Sequence, residues 1–499
     1  MLAQKLIFSY LNQIIVQILQ IAASLVVARL AGPGVLGTIA FAMSYVSMFS
    51  FVADLGFGTA HIKKISEGLD LEKGLGTYTR IKITLIILYT IIVIVFFLIQ
   101  KNIFKTSFES IDHIYAIFIF LASSIITQTY SICKATFQAF AQQVRTDLPD
   151  FFVSLINQVL RIIIVVLGYK AVALSFGNLA SVILIIPFYW YLFKGYKIGK
   201  FDISIAKEYW IIAMPVLLTA VTSTLLSTLG VVLLQFYSNS EQVGYYSAGF
   251  RIGGFVLLIS LSIGNLFFPI FSKAASNKDF ETIKKYVEKF ERFSFIYLMP
   301  IIIIVTLFSS EIVRLLLGKQ FIASVPIMMM INLSMFFRVL ASPYGSLIAG
   351  LGLFKKSLII GLVHFIFYIL ALYFAINPPF LNLSGYGAAL AYLLATVVFF
   401  ILNITYAMNN LRLLTFKNLI MYMSFGIVNF VIAYYIFQLI NVNSIIAKLC
   451  FIVFYFVITY SLMFFIGLLN KNDLKIAKTI FDFKSMNKYI HWEVRNKYK

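Results

Sequence analysis

Acidic residues are scarce in this chain. It carries 19 Asp and Glu against 40 Lys and Arg, and only 12% of its residues are charged. Soluble domains carry about 25%, so a soluble globular class is excluded. The chain has two cysteines, Cys133 and Cys450. Both fall in apolar runs and neither belongs to a CxxC or metal-type spacing, so they read as small buried hydrophobes and no disulfide framework is expected. The four histidines, His61, His113, His364 and His491, have no His, Cys or acidic partner at ligand spacing, which argues against a metal site. Phosphate-loop and nucleophile-elbow motifs are missing, and no carboxylates pair inside an apolar run. An enzyme and an ATP-driven pump are therefore not expected, nor is a cofactor. An ion gradient (protons or sodium), a partner's ATPase or the substrate's own gradient is left to drive any transport. A small-residue cleavage site after a short apolar stretch is also lacking, so no cleavable signal peptide is expected.

What is present is apolar surface. The chain is 61% hydrophobic, with 51 Phe and 29 Tyr, and its mean hydropathy is +0.95. A bilayer-crossing helix needs about 20 mostly apolar residues. Fourteen runs qualify, at roughly 6–28, 35–58, 81–99, 114–134, 150–168, 173–193, 210–236, 243–271, 294–315, 325–349, 357–376, 386–407, 418–438 and 445–468. The expected fold is all-α and polytopic. The net charge of +21 would suggest nucleic acid in a soluble protein. Here the basic residues lie mostly between apolar runs, so they read as a topology signal and nucleic acid is not an expected partner. With both termini inside, 30 Lys and Arg fall in inside segments and seven outside, and Arg161, Arg251 and Arg338 remain within spans. That asymmetry follows the positive-inside rule.

A weak repeat recurs at an offset of 207, where Val35-Leu36-Gly37 opens span 2 and Gln242-Val243-Gly244 opens span 8. Six spans per repeat gives halves of the same orientation, related by an axis along the membrane normal. The expected organisation is a six-helix bundle over 1–194, a cytoplasmic linker at 195–209, a second six-helix bundle over 210–410, two additional spans over 411–468, and a basic tail at 469–499 drawn to anionic lipid headgroups. The segment 272–292 places Ile283, Tyr286, Val287 and Phe290 on one face and reads as an amphipathic helix on the cytoplasmic surface.

Charge inside the apolar helices is mainly positive. Arg161 and Arg338 lie near mid-depth of their spans and Arg251 about two turns from an outer end, whereas one acid, Asp54, lies at comparable depth. A charged side chain at the bilayer centre costs about 2.5–3.5 kcal/mol on insertion scales. Guanidinium suits bidentate phosphate recognition, so the arginines are candidates for an anionic ligand, with a structural salt bridge or carbonyl clamp as the other role open to them. Asp54 is either an arginine partner or packing residue, or a coupling site for a proton or cation. Polar stripes run along four spans: Gln13, Gln17, Gln20 and Ser24; Ser124, Gln128, Ser131, Lys134 and Gln138; Thr219, Thr222, Ser223 and Ser227; Asn332, Ser334, Arg338 and Ser342. Small hydroxyls there serve as interhelical glue. A row of three glutamines is harder to satisfy by packing and suits a wet cavity.

Several of these segments resemble a known family. Ala28-Arg29-Leu30-Ala31-Gly32-Pro33-Gly34-Val35-Leu36-Gly37, followed by Val52-Ala53-Asp54-Leu55-Gly56-Phe57-Gly58-Thr59, is similar to the N-terminal signature of polysaccharide and oligosaccharide-lipid flippases. These belong to the multidrug/oligosaccharidyl-lipid/polysaccharide exporter superfamily. Val243-Gly244-Tyr245-Tyr246-Ser247-Ala248-Gly249-Phe250-Arg251-Ile252, Gly345-Ser346-Leu347-Ile348-Ala349-Gly350-Leu351-Gly352 and Gly385-Tyr386-Gly387-Ala388-Ala389 resemble later motifs of that family. The resemblance implies two six-helix bundles with alternating access in a bacterial inner membrane. It implies flipping of an undecaprenyl-pyrophosphate-linked repeat unit to the outer leaflet for O-antigen or capsule, with the polysaccharide polymerase of the pathway as a partner. Substrate contacts are then expected from Arg161, Arg251, Arg338, Arg29, Gln13, Gln17, Gln20 and Gln128. The acid that family members often carry late in span 7 is replaced by Ser227-Thr228-Leu229-Gly230-Val231. A lipid II flippase and a multidrug efflux antiporter are the alternatives. Efflux of cationic drugs calls for acidic cavity residues, and a polymerase or ligase calls for a large outside loop.

Overall fold

Nearly every described residue is helical, because a backbone in hydrocarbon must satisfy its own hydrogen bonds. The computed structural model describes residues 2–102, 108–254, 271, 273, 274, 277, 279–411, 416–439 and 444–469. Side chains are described from Ile15 onward, apart from 280, 354, 409–411, 416–419 and 445. The helices are α1 (Leu2–Ser47), α2 (Phe57–Ser66), α3 (Leu71–Asn102), α4 (Ile111–Ala139), α5 (Gln143–Val166), α6 (Ala171–Leu184), α7 (Ile186–Phe193), α8 (Ile203–Tyr237), α9 (Ser240–Gly253), α10 (Phe280–Leu307), α11 (Ser309–Leu316), α12 (Val325–Gly350), α13 (Phe354–Ile376), α14 (Ser384–Leu411), α15 (Phe416–Leu439) and α16 (Ile445–Phe465). Among the described residues, twelve helices are long and apolar enough to cross a membrane and no strand occurs. This is an all-α, multi-pass membrane protein.

Breaks in the helices fall where the backbone demands them. Gly32 adopts φ 82°, ψ 173° ahead of Pro33, so α1 comprises the first two expected spans, bent at this residue. The second span ends earlier than its hydropathy suggests. After Ser47 the chain makes a short 3-10 turn over Ser50–Ala53, and Leu55 (φ 47°) and Gly56 (φ 85°) turn it into α2. Asp54 is therefore on a break between helices and not within one, which corrects the expectation for this residue. The expected continuation of span 8 over 255–270 and the basic tail beyond Leu469 lie outside the described residues. The amphipathic segment differs from its expected form. From 280 onward it is continuous with the ninth span in the single helix α10, and Ile283, Val287 and Phe290 are buried in the protein.

The chain divides into two compact units. Unit 1 contains residues 1–247, 316–321 and 376–385; unit 2 contains 248–315, 322–375 and 386–499. Helix α8 falls within the first unit. There Gly56 lets α8 approach closely: a methyl on it would lie 2.7 Å from the Ala213 carbonyl oxygen. Asp202 caps α8 by accepting from the Ser204 N–H at 2.8 Å. The stretch before it runs along α3, with Gly199 N–H donating to the Glu72 carbonyl at 2.9 Å and Arg80 donating to the Gly199 carbonyl at 2.8 Å.

The repeat has a physical counterpart in unit 1. A methyl on Gly37 would sit 1.7 Å from the Ser240 carbonyl oxygen, and one on Gly244 would sit 2.0 Å from that of Pro33. The two glycines at equivalent repeat positions thus allow α1 and the start of α9 to pack backbone against backbone. In unit 2, α9 leans on α12 in the same manner, with Gly249 against Ile327 and Gly253 against Met328.

Candidate functional site

Unit 1 holds a buried cation that the hydropathy pattern does not reveal. Helix α3 begins at Leu71, so Lys82 lies three turns inside it, about 16 Å from its start. Its side chain is 1% exposed. The ammonium donates to Asp54 Oδ1 at 2.9 Å and to Gln128 Oε1 on α4 at 3.0 Å. Asp54 is 37% exposed, so the ion pair has one buried and one open member. Gly58 makes room for it, since a methyl there would lie 3.0 Å from Asp54 Oδ1 and 3.3 Å from the Tyr78 hydroxyl. The expected arginine partner of Asp54 is thus replaced by Lys82. The signal was present, but Lys82 sits at the very edge of the run 81–99 and is counted with the basic loop before it.

One turn away, His61 on α2 is fully buried between Tyr209 (3.0 Å) and Thr136 (3.2 Å) and stacks on Tyr78 at 4.4 Å. Burial pushes its pKa down to about 4, so the imidazole is neutral.

The span-4 stripe is mostly consumed by side-chain contacts. Ser124 accepts from the Tyr89 hydroxyl at 2.9 Å, Ser131 donates to the Gln128 carbonyl at 2.6 Å, and Lys134 pairs with Asp150 at 2.5 Å. The span-7 stripe is turned to its own backbone, with Thr219, Thr222, Ser223 and Ser227 donating to carbonyls three or four residues earlier. Gln17 is half-buried and Gln20 exposed on α1, and the side chain of Gln13 lies outside the described residues. Arg161 is half-buried on α5. Arg29 clamps a helix end. Its Nε donates to the Leu316 carbonyl at 3.1 Å, at the C-terminal end of α11, while Gln320 donates back to the Ala28 and Arg29 carbonyls at 3.0 and 2.9 Å.

Unit 2 carries the other two arginines. Arg251 on α9 is exposed and makes no hydrogen bond or ion pair among the described residues. Arg338 on α12 is half-buried and donates to the Tyr392 hydroxyl at 3.2 Å, and Tyr392 packs edge-on against Phe250 at 5.3 Å. The glycine contacts of α9 run parallel to α12, which puts Arg338 about two turns, roughly 12 Å, beyond the level of Arg251. On α12, Asn332 donates to the Ile302 carbonyl (3.1 Å) and Thr306 (2.9 Å) and so ties α12 to α10, whereas Ser334 donates to the Met330 carbonyl (2.7 Å) of its own helix.

The fold and these residues define a polytopic helical membrane protein with cationic side chains inside both units. The chain belongs to the polysaccharide biosynthesis protein family, whose model matches residues 26–326. The search of curated proteins found no match. Among solved structures the chain is similar to the lipid II flippase MurJ in an inward closed conformation, at 14% identity over 93% of this chain and 100% of that one, with a TM-score of 0.74. It is also similar to an inward-facing multidrug resistance MATE family transporter of the MOP superfamily, at 15% identity over 78% and 94%, TM-score 0.64. A MOP superfamily transporter from Pyrococcus furiosus matches at 16% identity over 82% and 96%, TM-score 0.55. At these identities the likeness is one of fold.

Proposed function

We propose that this protein flips a lipid-linked oligosaccharide, an undecaprenyl-pyrophosphate-linked repeat unit, from the cytoplasmic to the outer leaflet of a bacterial inner membrane. Both termini are cytoplasmic in this reading, and the product feeds a polymerase that builds surface polysaccharide such as O-antigen or capsule. The observation that carries it is Arg251, a guanidinium in an apolar helix that is exposed and has no counter-charge among the described residues. Leaving it against hydrocarbon costs about 2.5–3.5 kcal/mol, a cost that a pyrophosphate removes. Arg338, two turns further along the neighbouring helix, is held by Tyr392 with the rest of its guanidinium edge left for the same anion. Family membership and the flippase-like fold support the reading. The neutralisation of Asp54 by Lys82 speaks against an acidic drug-binding cavity.

Deleting the gene and scoring surface polysaccharide tests the reading. Viable cells that lose the polymer and accumulate its lipid-linked precursor are expected. Lysis with a failing cell wall indicates lipid II as the substrate instead. Complementation with Arg251→Ala and Arg338→Ala is expected to lower polymer output about tenfold each, by analogy with a lost charged hydrogen bond. Full output from both variants rejects the two arginines as anion ligands.

A further inference from the structure

The Lys82 cluster has an orientation that chemistry settles. An ammonium has only donors. Both of its partners must therefore present oxygen to it: Asp54 through Oδ1 and Gln128 through Oε1, at 2.9 and 3.0 Å. The Gln128 amide is fixed as a result, with its Nε2 group pointing away from Lys82. Asp54 Oδ2 is likewise left over, on a side chain that is 37% exposed. Neither group has another hydrogen-bond partner among the described residues. An acceptor and a donor are thus anchored by one buried cation. Asp54 has no reason to be open in hydrocarbon, where an ionised carboxylate is costly, so its open side meets water or a polar ligand. The site is also preorganised. Lys82 is buried and bonded to both partners, and Gly58 leaves Asp54 its space where any larger residue would press on the carboxylate.

We infer that Asp54 and Gln128 form a carbohydrate subsite in unit 1, with Lys82 as the residue that positions both. A sugar hydroxyl is donor and acceptor at once. It gives its hydrogen to Asp54 Oδ2 and takes one from Gln128 Nε2, so adjacent hydroxyls on a ring match this pair, whereas a bare lipid pyrophosphate, largely ionised at neutral pH, offers chiefly acceptors. The Asp54–Lys82 pair is neutral as a whole, so it has no net positive charge to hold a pyrophosphate. The inference rests on the lipid-linked oligosaccharide reading above and adds to it the place where the sugar is read.

The experiment uses the full-length protein in lipid nanodiscs. Two probes are titrated: bare undecaprenyl pyrophosphate, and the lipid-linked oligosaccharide fraction extracted from cells that carry the gene. The quantity read is the ratio of the two affinities. The wild type is expected to prefer the sugar-bearing lipid. Asp54→Asn turns the exposed acceptor into a donor, because Lys82 keeps the amide oxygen, and Gln128→Glu turns the exposed donor into an acceptor. Each is expected to cut the ratio about tenfold, with bare-lipid affinity within about twofold of wild type. The exchange D54N/Q128E is the deciding variant. It preserves the charge balance around Lys82, so its melting temperature is expected to match the wild type, yet it reverses the donor–acceptor order and is expected to leave the ratio low. A purely structural role predicts the opposite, a ratio restored together with stability, and that result overturns the subsite. If the exchange does not fold, Gln128→Met is judged by the same ratio. A wild type that binds the bare lipid without preferring the sugar-bearing form rejects the subsite and leaves the flippase reading standing. A wild type that binds neither rejects both.

Discussion

Around Lys82, unit 1 gathers an ammonium, a carboxylate and an amide into one hydrogen-bonded group, with a stacked His61–Tyr78 pair beside it. Unit 2 has instead an apolar cavity of about 430 Å³ among α10, α12, α14 and α15, lined by side chains such as Phe295, Met299, Met330, Phe336 and Met423. The contrast concerns tolerance. A polar interior is specified atom by atom, and taking away one partner strands another at the full desolvation cost. An apolar space bounded by methionines can close around a change, because an unbranched thioether side chain re-packs with little penalty. Unit 1 should therefore lose stability sharply on small substitutions, and unit 2 should absorb comparable ones.

The largest effect is expected at Gly37. An added methyl would stand 1.7 Å from the Ser240 carbonyl oxygen, and both sides of that contact are backbone. Neither side can move aside without unpacking α1 from α9. Overpacking of this severity costs above about 3 kcal/mol, so Gly37→Ala should abolish the folded monodisperse species in size-exclusion chromatography. A Gly37→Ala protein that melts within a few degrees of wild type would break the idea that unit 1 is rigidly specified.

Next comes Asp54→Ala. It leaves the Lys82 charge buried with Gln128 as its sole remaining partner. Orphaning one member of a buried pair costs about 3–5 kcal/mol, and the low end applies because Asp54 itself is partly exposed. Restoring neutrality with Lys82→Met in the same chain should recover most of the loss in thermal melting. A double variant no more stable than Asp54→Ala alone would show that the charge is not the cause.

These two sites also mark the limits of the sequence. The helical, many-span architecture and the family signature were legible, because a 20-residue apolar run has few alternatives and glycine motifs in a fixed order are specific. The repeat glycines were visible, but their meeting was not, since contact between positions 207 residues apart needs the tertiary fold. Lys82 was hidden because it stands at the edge of the run 81–99, and the polar first turns of α3, from Leu71, read as a basic loop that takes it in. Asp54 read as interior because the pattern stays apolar through the break at Ser50–Ala53. The carbonyl partner of Arg29 at Leu316 was not legible because it is remote in the chain.

A smaller effect is expected from protonating His61. Its pKa falls from the ordinary 6.5 to about 4 in the folded protein. The unfolded chain therefore binds the proton first as the pH drops. The stabilising contribution is complete above 6.5 and is lost progressively as pH falls toward 4. Between pH 7 and pH 5 the loss is about 2 kcal/mol for this group. His61→Gln, which keeps a neutral hydrogen-bonding side chain, should flatten the pH dependence of melting over that window. An unchanged slope would mean that His61 is not the group that titrates.

The last and smallest effect has the opposite sign, and it tests unit 2 directly. Gly426 sits inside α15 at the wall of the apolar cavity, and a methyl there would meet Met299 Cε at 3.4 Å, with the nearest other atoms also on side chains. The contacting atom is the far end of a flexible side chain, so Met299 can yield into the cavity. Alanine also costs less than glycine in a helix interior by about 0.5–1 kcal/mol. Gly426→Ala should therefore stabilise the protein by about that amount and raise the melting temperature by one to a few degrees. If it instead destabilises on the scale of Gly37→Ala, the cavity is as exactingly packed as the Lys82 cluster. The difference in tolerance between the two units would then be wrong.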